Sequence, residues 1–370
     1  MMMVVMFIPF GGFSETQKKE EQGTRSQPFA FIALGDLHFD RMAHHDVAYV
    51  EQKYGDDDVS QIKNYSRLTE SVLPKTFAEV REVAGSYKPR VAFVAQLGDL
   101  VEGLCGTPQL ARRQCEEAIA FVEQAHLGAP FLVTRGNHDG TGPGAPQAYN
   151  SVILPFLSKQ AGQPLETASF AYEQGDALFA FFDAYDPRSL DWLEQTLATR
   201  RARHVFVLIH PPVVPIGARS LWPIYSRPNQ RSQRERLLSL LGKHRAIVLC
   251  AHLHKYAALV RQTDQGRFFQ LSLSTVISSG TRSPSLLSGM ERYGPDLVAL
   301  EPRFEPGTER QRRDVLKDEA PFIEHYEYAD APGYAVITVR ESDVRVEAYL
   351  GLGRNLWRTL TIADGGVKKD

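Results

Sequence analysis

Residue types that bind metal ions occur at five separate places along this chain, each directly after a run of apolar residues. They are Asp36 with His38, Asp99, Asn137, His210, and His252 with His254. Polar residues at strand ends let a fold gather oxygen and nitrogen ligands from distant parts of the sequence, so these seven side chains could share one pocket. Seven ligands are enough for two metal ions that share a carboxylate. Because two such ions can hold the attacking and leaving oxygens of a phosphoester, the set predicts phosphoester hydrolysis.

Each of these fragments has an ordinary structural explanation when it is taken alone. A Gly-Asp pair after a strand is more often a turn than a ligand, a His-X-His pair arises by chance, and His210 before two prolines could simply end a strand. The segment Gly136-Asn137-His138-Asp139 is more specific, because it combines a freer backbone, a neutral oxygen ligand, a proton donor and a carboxylate. Five of the 11 histidines fall in these fragments, and this concentration favours one common site.

The segments that would position these side chains alternate between strand-like and helical patterns. Buried strands are predicted directly before the metal-binding fragments, at 29–34, 91–97, 130–134, 204–209 and 245–250. Helices are predicted at 66–84, where Pro74 could produce a kink, and at 108–125, 189–199 and 232–242. A hairpin at 169–182 and strands at 268–274, 334–339 and 344–350 complete the pattern. This order is typical of an α/β protein with two sheets covered by helices.

One domain with insertions is the simplest account of 370 residues in which no repeat and no clear linker is visible. We expect a leader at 1–27, a domain at 28–355 and a C-terminal tail at 356–370. Two stretches with little periodicity, 211–231 and 281–333, are expected to be insertions within the domain. Long segments of this kind are usually lids, binding loops or disordered regions.

The leader contains an apolar run at 4–13 that is similar to the hydrophobic region of a signal peptide, although no Lys or Arg precedes it. Export to the periplasm or the cell exterior is therefore slightly favoured over a cytoplasmic location. The run is too short to span a bilayer, and no transmembrane helix is expected. In an exported protein Cys105 and Cys115 could form a disulfide, whereas Cys250 lies in an apolar run and is expected to be an inert core residue.

The composition is that of an ordinary globular protein without a strong charge bias. The chain carries 42 basic and 44 acidic residues, for a formal net charge of −2. This balance offers no electrostatic footprint for nucleic acid or for an anionic membrane. The expected partner is therefore a small-molecule phosphoester, and the oligomeric state is left open.

The order of the fragments, Asp-X-His, Asp, Asn-His-Asp, His and His-X-His, resembles the calcineurin-like metallophosphoesterase family over roughly 29–256. The segment 190–194 also resembles the helix that precedes the histidine strand in this family. One position departs from the family pattern, since Ala251 stands where glycine is usual. Alanine tolerates a positive φ less well, so the local backbone could differ there. The resemblance implies an α/β fold, namely a four-layer αββα sandwich of two mixed β-sheets flanked by helices.

The resemblance also implies two divalent metal ions and a ligand for each position around them. Asp36, His38 and His254 would hold the first ion, Asn137, His210 and His252 would hold the second, and Asp99 would bridge them. Oxygen ligands beside imidazoles suit Mn, Fe or Zn, and the ligand set does not choose among them. The implied reaction is in-line attack on phosphorus by a hydroxide that bridges the two ions, with no covalent enzyme intermediate.

His138 matches the family's histidine that binds no metal, and the resemblance gives it the role of protonating or stabilising the leaving oxygen. Asp139 is the expected carboxylate partner that would fix the tautomer of His138. Some side chains in loops beside the motifs are candidate substrate contacts, although loop packing is the commoner explanation for any one of them. These candidates are Arg135, Tyr149, Asn150, Trp222 and Tyr225.

The substrate is left open between a phosphodiester and a phosphomonoester, including nucleotides. Purple acid phosphatases have a tyrosine three residues after the bridging aspartate, where this chain has Glu102, and the motif order is more similar to that of phosphodiesterases acting on cyclic nucleotides and related esters. A diester is therefore favoured. A non-catalytic metal-binding scaffold of the same fold is a second hypothesis, but a scaffold would be expected to have lost ligands. An amidohydrolase is disfavoured, because such enzymes open with His-X-His and this chain opens with Asp-X-His.

Overall fold

The computed structural model describes residues 27–276, 284–300 and 306–368, so nearly all of the expected leader lies outside the described residues. The strands are β1 (Phe29–Leu34), β2 (Val91–Gln96), β3 (Phe131–Val133), β4 (Phe170–Gln174), β5 (Ala177–Phe182), β6 (His204–Ile209), β7 (Ile247–Cys250), β8 (Tyr256–Thr263), β9 (Gly266–Ser272), β10 (Leu287–Ser288), β11 (Ile323–Ala329), β12 (Gly333–Val339), β13 (Val344–Leu350), β14 (Asn355–Ala363) and β15 (Gly366–Val367). The α-helices are α1 (Val47–Tyr54), α2 (Asp56–Ser71), α3 (Leu73–Ser86), α4 (Pro108–Gln124), α5 (Ala145–Ala148), α6 (Leu154–Ala161), α7 (Ser189–Thr199), α8 (Arg231–Lys243) and α9 (Pro306–Glu319).

The strands form two mixed sheets. The first sheet has seven strands in the order β15-β14-β13-β12-β1-β2-β3, and the second has eight in the order β10-β11-β8-β9-β7-β6-β5-β4. Strands β1, β2 and β3 run parallel in the first sheet, and β5, β6, β7 and β9 run parallel in the second. The carboxyl ends of parallel neighbours meet at one edge of a sheet, and this is where the five fragments begin.

The core lies between the two sheets and is rich in phenylalanine. The ring of Phe31 on β1 stacks on Phe93 of β2 at a centroid distance of 4.9 Å, and it meets Phe206 of β6 edge-on at 5.4 Å. All six residues of β1 are buried, as expected for a central strand that is covered on both faces. Helix α6 packs on β3, and α8 packs on β8 and β9. Two mixed sheets flanked by helices confirm the predicted fold class.

Two predicted boundaries are wrong. The single helix expected at 66–84 is two helices, α2 and α3, which are separated at Val72, and Pro74 lies in the first turn of α3 rather than at a kink. This position tolerates proline because the first N–H groups of a helix have no intrahelical partner. The tail expected at 356–370 contains β14 and β15, which extend the first sheet. Leu360 and Ile362 are buried there, so the last strands belong to the core and are not an appendage.

Much of the two segments that were expected to be insertions is built into the core or the second sheet. Residues 211–218 are buried, and polar side chains from other elements bind their backbone. The amide of Gln270 accepts from the N–H groups of Val213 and Val214, and the hydroxyls of Tyr293 and Tyr326 donate to carbonyls in the same segment. In 281–333, strand β11 pairs with β8 inside the second sheet, whereas residues 281–283 and 301–305 lie outside the described residues.

Cys105, Cys115 and Cys250 are all buried and free, so no disulfide joins the first two in this structure. Burial raises the pKa of the Cys250 thiol above its ordinary range, in keeping with the inert core role expected for it. Among the described residues, no helix has both the length and the apolar character that crossing a membrane requires.

Candidate metal centre

The structure brings all seven predicted ligands together at the carboxyl ends of the parallel strands. In the first sheet Asp36, Asp99 and Asn137 follow β1, β2 and β3, and in the second sheet His210 and His252 follow β6 and β7. His38 and His254 lie two residues beyond Asp36 and His252. The two sheets face each other, so each contributes ligands to one cleft between their edges.

Three of the predicted ligands form a first group, which we call half-site 1: Asp36, His38 and His254. The Nε2 atoms of His38 and His254 lie 3.1 Å apart, and Oδ1 of Asp36 lies 3.7 Å from Nε2 of His254. Oδ1 of Asp36 is buried and accepts no hydrogen bond from any described residue. An orphaned carboxylate oxygen that faces two imidazole nitrogens fits a cation well.

The second group, half-site 2, consists of Asn137, His210 and His252. Nε2 of His210 lies 3.1 Å from Oδ1 of Asn137 and 3.2 Å from Nδ1 of His252. Asp99 lies between the two half-sites, with its Oδ2 atom 3.0 Å from Nε2 of His210 and 4.0 Å from Nε2 of His38. Asp99 therefore lies within reach of a histidine from each group, and the nitrogen and oxygen donors suit Mn, Fe or Zn.

The electrostatics of the centre show that it favours positive charge. Burial alone would lower the pKa of His210, but the carboxylates of Asp99 and Asp36 outweigh it and raise this pKa to about 9. Burial would raise the pKa of Asp99, yet His210, His138 and His38 hold it well below its usual range. Burial and the neighbouring His210 lower the pKa of His252 to about 3, which keeps this imidazole neutral and able to bind a metal.

Four of the ligands have a backbone conformation that side chains rarely adopt. The φ angles of His38, Asp99, His252 and His254 are 45°, 54°, 71° and 52°. Such conformations persist only where the surrounding structure imposes them, and they are concentrated at functional sites. Ala251 is not among the residues with positive φ, since the left-handed conformation falls on His252, so alanine is accommodated there without strain.

Two glycines are required by close packing around the ligands. A Cβ atom on Gly98 would lie 2.3 Å from Nδ1 of His210, and one on Gly136 would lie 2.1 Å from the backbone nitrogen of Asp99. Gly98 also has a φ of 98°. Gly136 was expected to free the backbone, but its φ is not positive, and its role is to let two loops approach.

His138 lies beside both half-sites without belonging to either. Its backbone N–H donates to Oδ1 of Asp99 at 2.8 Å, and Nδ1 of its ring donates to the carbonyl oxygen of Glu102 at 2.7 Å. This hydrogen bond fixes the tautomer and leaves Nε2 available. The ring lies 4.8 Å from that of His38, and its side chain is 19% exposed, so it can reach a group in the cleft.

Asp139 does not perform the role predicted for it. Its carboxylate accepts hydrogen bonds from the backbone N–H groups of Gly136 at 2.7 Å, and of Asp99 and Val101 at 3.1 Å each. Burial and the charge of Asp99 raise the pKa of Asp139 to about 6. Asp139 therefore holds the loops that carry Asp99 and Asn137, and the tautomer of His138 is set by a backbone carbonyl instead.

Glu102 lies very close to the predicted ligand His38, but sequence reasoning assigned it no role at the metal centre. Its position was used only to show that the tyrosine of purple acid phosphatases is absent. Its Oε2 atom lies 2.6 Å from Nδ1 of His38 and 3.6 Å from Nδ1 of His138, and Gln61 donates to its other oxygen at 2.7 Å. A carboxylate behind a ligand histidine orients the ring and raises its basicity. The available signal was an acidic residue between Val101 and Gly103, three residues after Asp99.

A second missed residue is Tyr65 on α2, whose ring stacks on His38 at a centroid distance of 4.2 Å and an angle of 16°. Helical periodicity gave no reason to place it at the metal centre. Together with Glu102, it fixes the plane of the His38 imidazole. A ligand ring that is held on two sides keeps its nitrogen directed at the metal position.

The five candidate substrate contacts lie in different parts of the structure. Trp222 and Tyr225 line a cavity whose walls also include Asn137 and His252. Arg135 is close to the centre but is paired with Asp183 at 3.3 Å, and its guanidinium lies over the ring of Tyr149. Tyr149 is completely buried, so it is a core residue and presents no surface to a substrate.

Asn150 is exposed and lines a different cavity of about 680 Å³, whose other walls come from α6 and the loop after it. None of the metal ligands lines that cavity. The prediction for Asn150 rested on its expected position in a loop beside the motifs. The helical turn at 149–153 directs the chain away from the metal centre.

Comparisons with known proteins agree with this geometry. The family model described as Calcineurin-like phosphoesterase matches residues 29–256. No curated protein matched the sequence. Among solved structures, a purple acid phosphatase from yellow lupin (Lupinus luteus) seeds superposes with a TM-score of 0.52 at 11% identity, covering 92% of this chain and 54% of that chain. The chain therefore spans little more than half the length of this plant protein.

Two further solved structures are similar in fold. The structure of PhoD superposes with a TM-score of 0.51 at 13% identity and covers 92% of this chain and 69% of that chain. A dimetal phosphatase from Danio rerio superposes with a TM-score of 0.50 at 14% identity and covers 91% of this chain and 99% of that chain. At these identities the likeness shows a common fold.

Proposed function

This chain belongs to the calcineurin-like phosphoesterase family, and from that premise we propose that it is a metal-dependent phosphoric ester hydrolase that uses two divalent cations and prefers phosphodiesters. The observation that carries the proposal is the division of the ligands into two half-sites around one shared carboxylate. Each half-site offers three donor atoms in addition to Asp99, and every donor is nitrogen or oxygen.

Two divalent cations at these positions would polarise a phosphoryl oxygen and lower the pKa of a coordinated water. The side chains of the protein have complementary tasks. The carbonyl of Glu102 holds the proton of His138 on Nδ1, so Nε2 is the atom that exchanges a proton with the departing ester oxygen. Asp139 fixes the position of Asp99 through its backbone, and Glu102 and Tyr65 fix the ring of His38.

The preference for a diester is supported by the surroundings of half-site 2. A phosphomonoester dianion carries one more negative charge than a diester and gains from an additional cationic side chain. Arg135 is engaged with Asp183 and Tyr149, so it is held back from the cleft. The cavity of about 520 Å³ beside Asn137 and His252 provides room for a second ester group.

The proposal is tested by stripping the protein of metal with a chelator and reloading it with Mn²⁺, Fe²⁺ or Zn²⁺. Hydrolysis of bis(4-nitrophenyl) phosphate and of 4-nitrophenyl phosphate is then compared for each metal. We expect activity to require reloading and kcat/KM to be higher for the diester. Asp36→Asn serves as the inactive control, because it removes a ligand while preserving size.

Two results would contradict the proposal. Hydrolysis of the monoester alone would overturn the diester preference and leave a monoesterase or nucleotidase. Tight binding of metal without turnover of any phosphoester would instead favour the non-catalytic scaffold.

A further inference from the structure

The cavity beside half-site 2 has walls that the metal chemistry does not require. It measures about 520 Å³, within the range of roughly 300–1,000 Å³ that is usual for small-molecule sites. Besides Asn137 and His252, its walls carry three aromatic side chains, Tyr185, Trp222 and Tyr225. The lining of the cavity therefore combines two predicted ligands of half-site 2 with three aromatic rings.

The ring of Trp222 is exposed and held in place. The residue is 43% exposed, which is unusual for a large apolar side chain in this protein. Its indole lies 5.3 Å from the ring of His252 at an angle of 37°, and the guanidinium of Arg219 lies 4.6 Å from its centroid. An exposed ring that is fixed by its neighbours offers a flat apolar surface at little cost in conformational entropy.

Tyr185 lies at the junction of the cavity and the metal centre. Its side chain is partly exposed, with 41% of the residue accessible, and it lines the cavity together with Asn137 and His252. Burial of the hydroxyl, together with the charges of Asp99 and Asp139, raises its pKa well above the usual range. Its backbone N–H donates to Asp183 at 2.9 Å, which fixes the start of this loop.

The third ring, Tyr225, is positioned by a constrained turn. Its φ is 55°, and the residues on either side are hydrogen bonded. The N–H of Ile224 donates to the carbonyl of Pro212 at 2.9 Å, and the hydroxyl of Ser226 donates to the carbonyl of Leu221 at 2.9 Å. The first bond connects the turn to the buried segment at 211–218 and the second closes the turn on itself, so the aromatic walls are arranged before any ligand binds.

Polar side chains also line the cavity and restrict the kind of ring that it would bind. Ser226, Arg227 and Gln230 line it together with the aromatic rings. Stacking on aromatic rings selects any flat ring, whereas hydroxyl, guanidinium and amide groups select a ring with nitrogen or oxygen atoms at its edge. A plain aryl group would offer no hydrogen-bonding atom to Arg227 or Gln230.

We propose that this cavity binds a planar heteroaromatic ring of the substrate, of the nucleobase class, between Tyr185, Trp222 and Tyr225 while the phosphoester group lies against Asn137 and His252. The inference rests on the proposed function, because it names the organic part of the same substrate. The substrate class is then a nucleoside phosphoester, and the aromatic walls determine specificity.

Calorimetric titration of the Mn²⁺-loaded protein tests this inference without relying on turnover. The probes are adenosine 5′-monophosphate, phenyl phosphate and ribose 5-phosphate, which share a phosphate and differ in the ring. We expect adenosine 5′-monophosphate to bind most tightly, by about 5- to 150-fold relative to ribose 5-phosphate, from the usual contribution of one stacked base. Phenyl phosphate should lie between the two.

Variants separate stacking from a general disturbance of the site. Trp222→Leu and Tyr225→Leu should each reduce the advantage of adenosine 5′-monophosphate, and Trp222→Phe should restore most of it. Phe322→Ala is the matched control, because Phe322 is 44% exposed and packs on Arg261 away from the cavity. This control should keep the full difference between the probes.

Equal affinities for adenosine 5′-monophosphate and ribose 5-phosphate in the unaltered protein would overturn the inference. An equal loss for all three probes in both leucine variants would also overturn it, since the rings would then only support the metal centre. Phenyl phosphate binding as tightly as the nucleotide would overturn the heteroaromatic class. Nucleotide-specific binding without hydrolysis of any ester would contradict the proposed function and leave the aromatic site intact.

Discussion

Half-site 1 and half-site 2 present similar ligand atoms but are supported by groups of different charge. In half-site 1, the carboxylate of Glu102 lies 2.6 Å from Nδ1 of His38. In half-site 2, Nδ1 of His210 donates to the neutral carbonyl of Leu97 at 2.8 Å. Both contacts orient a ligand ring, but only the first adds a negative charge behind it.

The predicted ligands of half-site 1 also carry more negative charge than those of half-site 2. Half-site 1 has its own carboxylate, Asp36, whereas half-site 2 has the amide of Asn137, and Asp99 is shared. We therefore expect half-site 1 to hold its cation more tightly. We expect half-site 2 to hold its cation more weakly, and it lies next to the cavity lined by Trp222. Retention of metal and contact with substrate are thus assigned to different halves of one centre.

The largest effect is expected from Asp99→Asn, because this residue serves both half-sites. An amide would remove the shared negative charge while keeping the size of the side chain. We expect elemental analysis to show a fall from about two bound ions per chain to fewer than one, with turnover at the level of the stripped protein. Asp264→Asn, in the exposed turn between β8 and β9, is the control. Retention of both ions would show that the half-sites do not depend on a common ligand.

The next effect concerns His138, which belongs to neither half-site. His138→Ala should reduce kcat by about 10²–10⁴-fold, the usual contribution of a general acid, and should leave both ions bound. The exposed His126→Ala is the control. Loss of metal together with activity would make His138 part of the metal site. Metal binding and proton transfer would then not be performed by separate residues.

The strand-end ligands could be predicted because each depends on local sequence. An apolar run predicts a buried strand, and the residues after it lie at the edge of the sheet whatever the details of packing. The partners of His138 could not be predicted in this way. Asp139 is adjacent in sequence, but the short helical turn at 138–140 directs its carboxylate to the backbone of the loop after β2. Glu102 reaches His38 only because the loops after β1 and β2 lie side by side.

Burial and long-range pairing account for the other differences. Tyr149 follows the metal motif closely in sequence, yet packing of the turn at 149–153 places it in the core. The strand β14 begins with the exposed residues Asn355 and Leu356 and follows a turn near the end of the sequence, and its pairing with β13 became visible only in the assembled sheet. Neither outcome is encoded in the spacing of residues over a short window.

Glu102→Gln tests the comparison between the half-sites directly. Glutamine keeps the size of the side chain and removes the charge behind His38. We expect the tighter of the two metal dissociation constants, measured by calorimetric titration, to weaken by about 10–100-fold, the usual effect of losing such a partner. The weaker constant should change little. Glu116→Gln, on the exposed face of α4, is the control, and equal weakening of both constants would contradict the assignment of charge to half-site 1.

The smallest effect is a pH dependence of the metal-free protein. Burial alone would lower the pKa of His38 and of His210, but Glu102 at His38 and Asp99 at His210 outweigh it and raise both to about 9. An unfolded histidine has a pKa of about 6.5, so the folded protein binds these protons more tightly. Their stabilisation is fully present below about pH 6.5 and is lost as the pH rises to about 9. We expect the free energy of unfolding to fall over this window by on the order of 1–3 kcal/mol per histidine.

Urea unfolding of the stripped protein at pH 6.5, 7.5 and 9 measures this fall. In Glu102→Gln the part that comes from His38 should shrink, because Glu102 is its principal charged neighbour, while the part from His210 should persist through Asp99 and Asp36. Reloading with metal should flatten the dependence, since cations then replace the protons. If Glu102→Gln left the fall unchanged, the charge behind His38 would not distinguish half-site 1, and the difference in metal affinity would have to arise from Asp36 and Asn137 alone.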